Sequence, residues 1–147
     1  MKYLIILFFS LTYFINAEDY IFESSANLKS ENMMIADNFS VKNMSIEIRW
    51  TDSLGEYGKG RCIGLSTKKT SEVRFKVYCE YYDSDEDMFW TLLERSNSDA
   101  AAGVGVATYL NATGKYKHFI GLKCNYAVNY MGEETNFYRH KCQIKNW

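Results

Sequence analysis

The chain's only two imidazoles, His118 and His140, each fall among tyrosines at the alternate spacing of a strand. Tyr116 stands two residues before His118, and Tyr138 two before His140, with Tyr126 on a strand that can pair with the latter. A neutral imidazole surrounded by phenol hydroxyls in a protein interior can orient a ligand or move a proton. The same residues can also form a hydrogen-bonded core cluster with no turnover. The ligand-contacting candidates are therefore Tyr116, His118, Tyr126, Tyr138 and His140. For catalysis the candidates are His118, His140 and Tyr126, with no reaction assigned.

Asp83, Asp85, Asp87 and Glu94 fit positions 1, 3, 5 and 12 of a calcium loop. The glycine such a loop needs at position 6 is replaced by Met88, and the flanking segments read as strands rather than helices. An acidic hairpin turn accounts for the run better, so no metal and no cofactor is expected. No glycine-rich phosphate loop, nucleophile elbow or Cys–His nucleophile pair is present.

The four cysteines contain no CxxC pair. With two histidines in the chain, a cysteine-based zinc site is a poor fit. Three disulfide pairings are possible on paper. Cys62 and Cys79 lie symmetrically about the polar run 66–72, and Cys124 and Cys142 about the turn 131–135. Adjacent strands joined at those turns would bring each pair within bridging range, which favours Cys62–Cys79 and Cys124–Cys142.

Disulfides imply export, and the amino terminus agrees. Residues 1–17 read as a secretory signal peptide: Lys2, an apolar run from Tyr3 to Ile15, then Ala17 before Glu18 and Asp19. The run is too short to span a bilayer comfortably, so no membrane span is expected after cleavage. The remaining 18–147 is expected to form one domain, secreted or periplasmic. Losing Lys2 moves the formal charge from −1 to −2. That charge, with acids and bases interspersed, gives no electrostatic case for nucleic acid or anionic membranes.

Strands must position these groups. Aromatic residues make up 16% of the chain, proline is absent, and few helix-length patterns appear. Met44, Ile46, Ile48 and Trp50 alternate with polar residues. So do Val73, Phe75, Val77, Cys79 and Tyr81. A Cys62–Cys79 pairing sets Gly64 against Val77 and Ser66 against Phe75, small residues making room for large ones. Residues 88–95 are apolar on both faces, so either Met88, Trp90 and Leu92 or Phe89 and Leu93 must turn outwards. Residues 103–124 read as two strands around the turn 111–114. Val104, Val106, Thr108 and Leu110 would face in, paired with Leu122, Ile120, His118 and Tyr116. The second of these strands would continue to Tyr130. It would then pair with 136–145 so that Cys124 meets Cys142, Tyr126 meets His140 and Val128 meets Tyr138. Tyr20–Phe22 is expected to be a short first strand, and 24–37 a loop or short helix. The sum is an all-β domain, a single antiparallel meander β-barrel of about eight strands with two disulfides. Closure would remove the exposed edges of an open sheet. Asn38, Asn43 and Asn111 head N-glycosylation sequons, which would mark exposed positions in a eukaryotic host.

Thr113-Gly114-Lys115-Tyr116, followed by Gly121, resembles the strand–turn–strand signature of the allene oxide cyclase and dirigent-type barrels over 103–121. In place of the first glycine of that turn stands Asn111-Ala112. The resemblance implies an eight-stranded, calycin-like antiparallel barrel, often trimeric and hence a homo-oligomer, holding apolar ligands in its lumen. None of that family's catalytic residues can be placed on this chain.

Three functional expectations follow. The first is a non-enzymatic barrel binding a small apolar ligand or a protein partner, because ligand sites pair an apolar lining with few polar groups. The second is a cyclase- or isomerase-like enzyme using an interior histidine with a tyrosine. The third is a structural or adhesive module presenting the Met88, Trp90, Leu92 face. An open lumen containing His118 or His140 would favour the first two, and a filled one the third.

Overall fold

The computed structural model describes residues 17–97, 102–132 and 134–145. Residues 1–16 of the expected signal peptide, and residues 98–101 between β5 and β6, lie outside the described residues. Eight antiparallel strands form one closed meander barrel. They are β1 (Ala17–Ala36), β2 (Phe39–Asp52), β3 (Tyr57–Lys69), β4 (Glu72–Asp83), β5 (Met88–Asn97), β6 (Ala102–Ala112), β7 (Lys123–Met131) and β8 (Thr135–Lys145). Closure is made by β1 against β8, with Ala17 opposite Lys145 and Asn27 opposite Thr135. No helix among the described residues is long and apolar enough to cross a membrane.

Where one strand face is strongly apolar, the expected register is found. Cys62 is opposite Cys79, Gly64 opposite Val77 and Ser66 opposite Phe75. Tyr126 is opposite His140 and Val128 opposite Tyr138. Both disulfides, Cys62–Cys79 and Cys124–Cys142, are formed and lie in the core. On β5 it is Phe89 and Leu93 that point in, while Met88, Trp90 and Leu92 are half-buried on the outer wall.

Three expectations need correction. The first strand is not short: β1 runs for 20 residues, and 24–36 is strand rather than loop or helix. Ala26 and Leu28 face the core, but 31–38 is exposed throughout. This part of the chain leaves the barrel as a hairpin with β2, so pairing alone makes it a strand and no alternation marks it.

The second correction concerns 114–119, which is a 3-10 helix, η1, rather than the start of a strand. Tyr116 and Phe119 are its buried residues. Three-residue spacing is the period of that helix, so both rings fall on one side of it. His118 therefore points out of the barrel and is exposed. Gly114, the first residue of η1, and Gly121, just beyond its C-cap, have positive φ, 46° and 85°.

The third correction follows from the second. With 114–119 withdrawn, β6 pairs Val104 with Ala127, Val106 with Asn125 and Ala107 with Cys124. The face is thereby inverted: Ala107 and Tyr109 are buried, while Val104 is 73% exposed. The cause is steric. A Cβ on Gly103 would collide with the Arg95 guanidinium, and one on Gly105 would lie 2.6 Å from the Tyr126 ring. Bulky neighbours inside the wall require small residues there, so the branched residues of β6 face out.

Candidate functional site

The interior has two unlike halves. One end is sealed by η1 and packed with rings. Phe22 lies at its centre, 4.7 Å from the His140 ring and nearly parallel to it, and 5.3 Å from both Trp50 and Tyr81. Phe119 of η1 closes over Tyr20 at 4.7 Å, and Tyr116 over Phe89 at 4.9 Å.

A polar chain threads this half. His140 is buried, with Nε2 3.0 Å from the Tyr109 hydroxyl and Nδ1 3.0 Å from the Tyr138 hydroxyl. Tyr109 is hydrogen-bonded in turn to Tyr20, which donates to Asp52 Oδ2 at 3.1 Å. The other Asp52 oxygen accepts from the backbone amides of Leu54 and Glu56, both at 2.9 Å. A carboxylate only accepts, so its position directs the whole chain. Tyr20 donates to Asp52, Tyr109 to Tyr20, His140 Nε2–H to Tyr109, and Tyr138 to His140 Nδ1. Every member is satisfied in that order, which assigns the Nε2–H tautomer. Burial lowers the His140 pKa to about 3 and raises those of Tyr109 and Tyr138 well above the ordinary phenol value. At neutral pH the imidazole and its phenols are uncharged and form a structural network anchored on the Asp52 carboxylate, rather than an acid–base pair poised near 7.

The same end carries the acidic turn. Asp83 is buried, and one of its oxygens accepts from the amides of Asp85 and Asp87. Its other oxygen accepts from the Tyr116 hydroxyl at 2.9 Å and the Lys115 ammonium at 2.9 Å. Lys115 also reaches Glu56 at 2.7 Å and Asp85 at 3.0 Å. Burial alone would raise the Asp83 pKa, but these donors outweigh it and hold the carboxyl below its usual range. Glu94 takes no part, lying on β5 against Lys76 at 3.5 Å. The four residues with calcium-loop spacing are therefore not brought together. Where carboxylates do converge, at Glu56, Asp83 and Asp85, the cation between them is Lys115. A second group of metal-type side chains, Cys124, His140 and Cys142, has both sulfurs committed to a disulfide.

The opposite end, the mouth, is different. A residual cavity of about 40 Å3 is lined by Ala26, Leu28, Met44, Leu93, Val128 and Tyr126 among others. That is room for about two or three waters. The Tyr126 hydroxyl is buried there with no hydrogen-bond partner. Burial pushes its pKa up to about 12, with the nearby Arg95 charge pulling the other way. Arg95 is the inward-facing residue of β5 beyond Leu93 and is only 8% exposed. Its guanidinium lies 4.7 Å from the centre of the Phe75 ring, and Nη2 donates to the Tyr130 hydroxyl at 3.3 Å. Nε and Nη1 are buried without a partner.

Of the five tyrosines and histidines singled out in sequence, Tyr126, Tyr138 and His140 come together. Tyr116 serves the plug instead, and His118 lies outside against Phe119, with ring centres 4.3 Å apart. Tyr20, Asp52, Tyr109, Lys115 and Arg95 are among the polar interior residues not anticipated. Arg95 carried a readable signal: a charge at the parity of Phe89 and Leu93, on the core face of an apolar strand.

Fold and site together define a disulfide-stapled, eight-stranded antiparallel barrel, plugged at one end and indented at the other. No protein-family model matches the chain, and no curated protein matches it.

Proposed function

We propose that the protein is an exported, non-catalytic binding barrel that takes a small, largely apolar ligand into the mouth end of its interior. The observation that carries this reading is the Tyr126 hydroxyl, buried without a partner against an apolar cavity. A polar atom left so costs about 1–3 kcal/mol unless something completes its bonding. Kinship with the allene oxide cyclase and dirigent-type barrels belongs to the same proposal, since their ligands occupy the lumen. A reaction at His140 is disfavoured by its enclosure in rings and its low proton affinity. Native mass spectrometry of protein from its own source tests the proposal. A retained small molecule is expected, alongside the loss of two pairs of hydrogens at the cysteines. Ala26→Leu, which fills the cavity, should abolish retention; unchanged retention would place the ligand elsewhere.

A second reading is favoured by the outer wall of β3 to β6. Ile63, Tyr78 and Leu92 succeed one another across three paired strands, with Leu110 beyond. Ile63 is 67% exposed. The flanking charges are paired among themselves, Arg61 with Glu80 and Lys76 with Glu94. An apolar centre with a self-neutralised rim suits a second copy of this chain better than a charged partner. Sedimentation should then show a dimer or larger assembly that Ile63→Glu dissociates; a wild-type monomer at high concentration would end this reading.

A further inference from the structure

We propose that Arg95 is the anchor for a carboxylate, so that the mouth ligand is a small monocarboxylate whose apolar part enters the cavity beside Leu93 and Val128. This rests on the reading of the mouth as a ligand site and adds the chemistry of the ligand. Four observations converge. Arg95 is buried with two donor nitrogens, Nε and Nη1, unpaired, and no carboxylate among the described residues forms an ion pair with it. Its guanidinium touches the lining of the cavity at two places, the face of Phe75 and the hydroxyl of Tyr130. Tyr126, which lines the cavity and feels the Arg95 charge, supplies a further unused hydroxyl. Finally, the wall is shaped for this side chain, since only a glycine at 103 leaves room for Nη1. Half-buried Lys42, at the inner-face parity of Met44, adds a second positive charge at the same end.

The chemistry selects the ligand class. A guanidinium presents its N–H groups in a planar fork that matches the two oxygens of a carboxylate. A buried, unpaired charge is costly and is stabilised most by an opposite charge with hydrogen bonds. The cavity of about 40 Å3 limits the apolar part to a short or flat group unless neighbouring side chains give way.

The test compares butyrate, hexanoate and benzoate with the corresponding amides, by calorimetry and thermal shift, on wild type, Arg95→Met and Tyr126→Phe. The carboxylates should bind wild type at least ten-fold more tightly than the amides. Arg95→Met should lose that preference entirely, and Tyr126→Phe should weaken carboxylate binding several-fold. Arg95→Met should also melt at or above the wild-type temperature, because an unpaired charge has been replaced by an apolar chain of similar length. Amides binding as well as acids, with Arg95→Met indifferent, would overturn the carboxylate assignment and leave the apolar site standing. Binding of neither series would overturn both. A preserved preference in Arg95→Met, or a lower melting temperature with unchanged affinity, would make Arg95 a structural residue and overturn the proposal.

Discussion

The ammonium of Lys115 lies 2.9 Å from the buried carboxylate of Asp83, so the chain itself supplies the cation that the acidic turn surrounds. Lys115 comes from η1 and Asp83 from the end of β4, so this ion pair latches the plug onto the barrel wall. The Tyr116 hydroxyl, on the next residue, grips the same carboxylate. Fixing η1 is what places Phe119 over Tyr20 and closes that end of the interior.

Loss of the latch should loosen the plug. Lys115→Met leaves Glu56, Asp83 and Asp85 facing one another and Asp83 short of a donor. Stability in urea should fall by about 1–3 kcal/mol. The Asp83 pKa should rise, and the loss should shrink when Glu56 is also changed to Gln. A Lys115→Met variant as stable as wild type would show that η1 is held by packing alone.

Gly114 should tolerate no side chain. Its φ is 46°, and a Cβ there would run into the Asp87 carboxylate, which accepts the Lys115 amide at 3.1 Å. Gly114→Ala should destabilise by more than about 1 kcal/mol. The fluorescence of Trp50, whose ring centre is 6.4 Å from that of Tyr116, should shift as the plug is displaced. An unchanged spectrum and midpoint would refute this.

His140 should make the fold acid-sensitive well above the carboxylate range. The unfolded imidazole takes a proton near its ordinary value of 6.5, the folded one only near 3. Below 6.5 the unfolded chain therefore holds the extra proton, and stability falls as pH drops towards 3. Between pH 7 and pH 5 the loss from this group is about 2 kcal/mol. His118, also lowered by burial, contributes with the same sign. The readout is thus the difference in slope between wild type and His140→Gln. Equal slopes in the two proteins would contradict the buried, neutral assignment.

The disulfides should contribute similarly to each other, because their spans are nearly equal at 17 and 18 residues. Chain-entropy reasoning assigns about 3 kcal/mol to each. The double variant Cys62→Ala with Cys79→Ala should lose roughly that much and keep the barrel. Removing Cys124 and Cys142 should cost at least as much, and should in addition make the acid sensitivity shallower, since Cys142 is two residues from His140 on β8 and looser packing there relieves the burial that lowers its pKa. A urea midpoint indifferent to either double variant would show that strand pairing already fixes these walls.

Much of the barrel was legible because its cysteines sit on inner faces. Cys62–Cys79 and Cys124–Cys142 each fix a register, and alternation in β2, β4 and β8 fixes the faces around them. What escaped was decided by neighbours far away in sequence. Tyr116 and His118 alternate like strand residues, but the opposed pair that matters is Tyr116 with Phe119, three apart. The branched face of β6 reads as core, yet Arg95 on β5 and Tyr126 on β7 require glycines there. The site split along the same line. Tyr126, Tyr138 and His140 lie on strands read correctly, whereas Tyr109 and Tyr20 became interior partners only through registers that local pattern did not reveal.

The seam between β1 and β8 sets Ala17 directly beside Lys145, at the plugged rim. A meander closed in this way has a circular order of strands with no privileged beginning. A short linker from 145 to 18, with the chain reopened at the exposed tip 37–38, would redraw the connectivity and leave the seam from Glu18 opposite Ile144 onwards in place. A tether attached at either end of the strand series would likewise hold the plug inward and turn the indented end towards the surroundings.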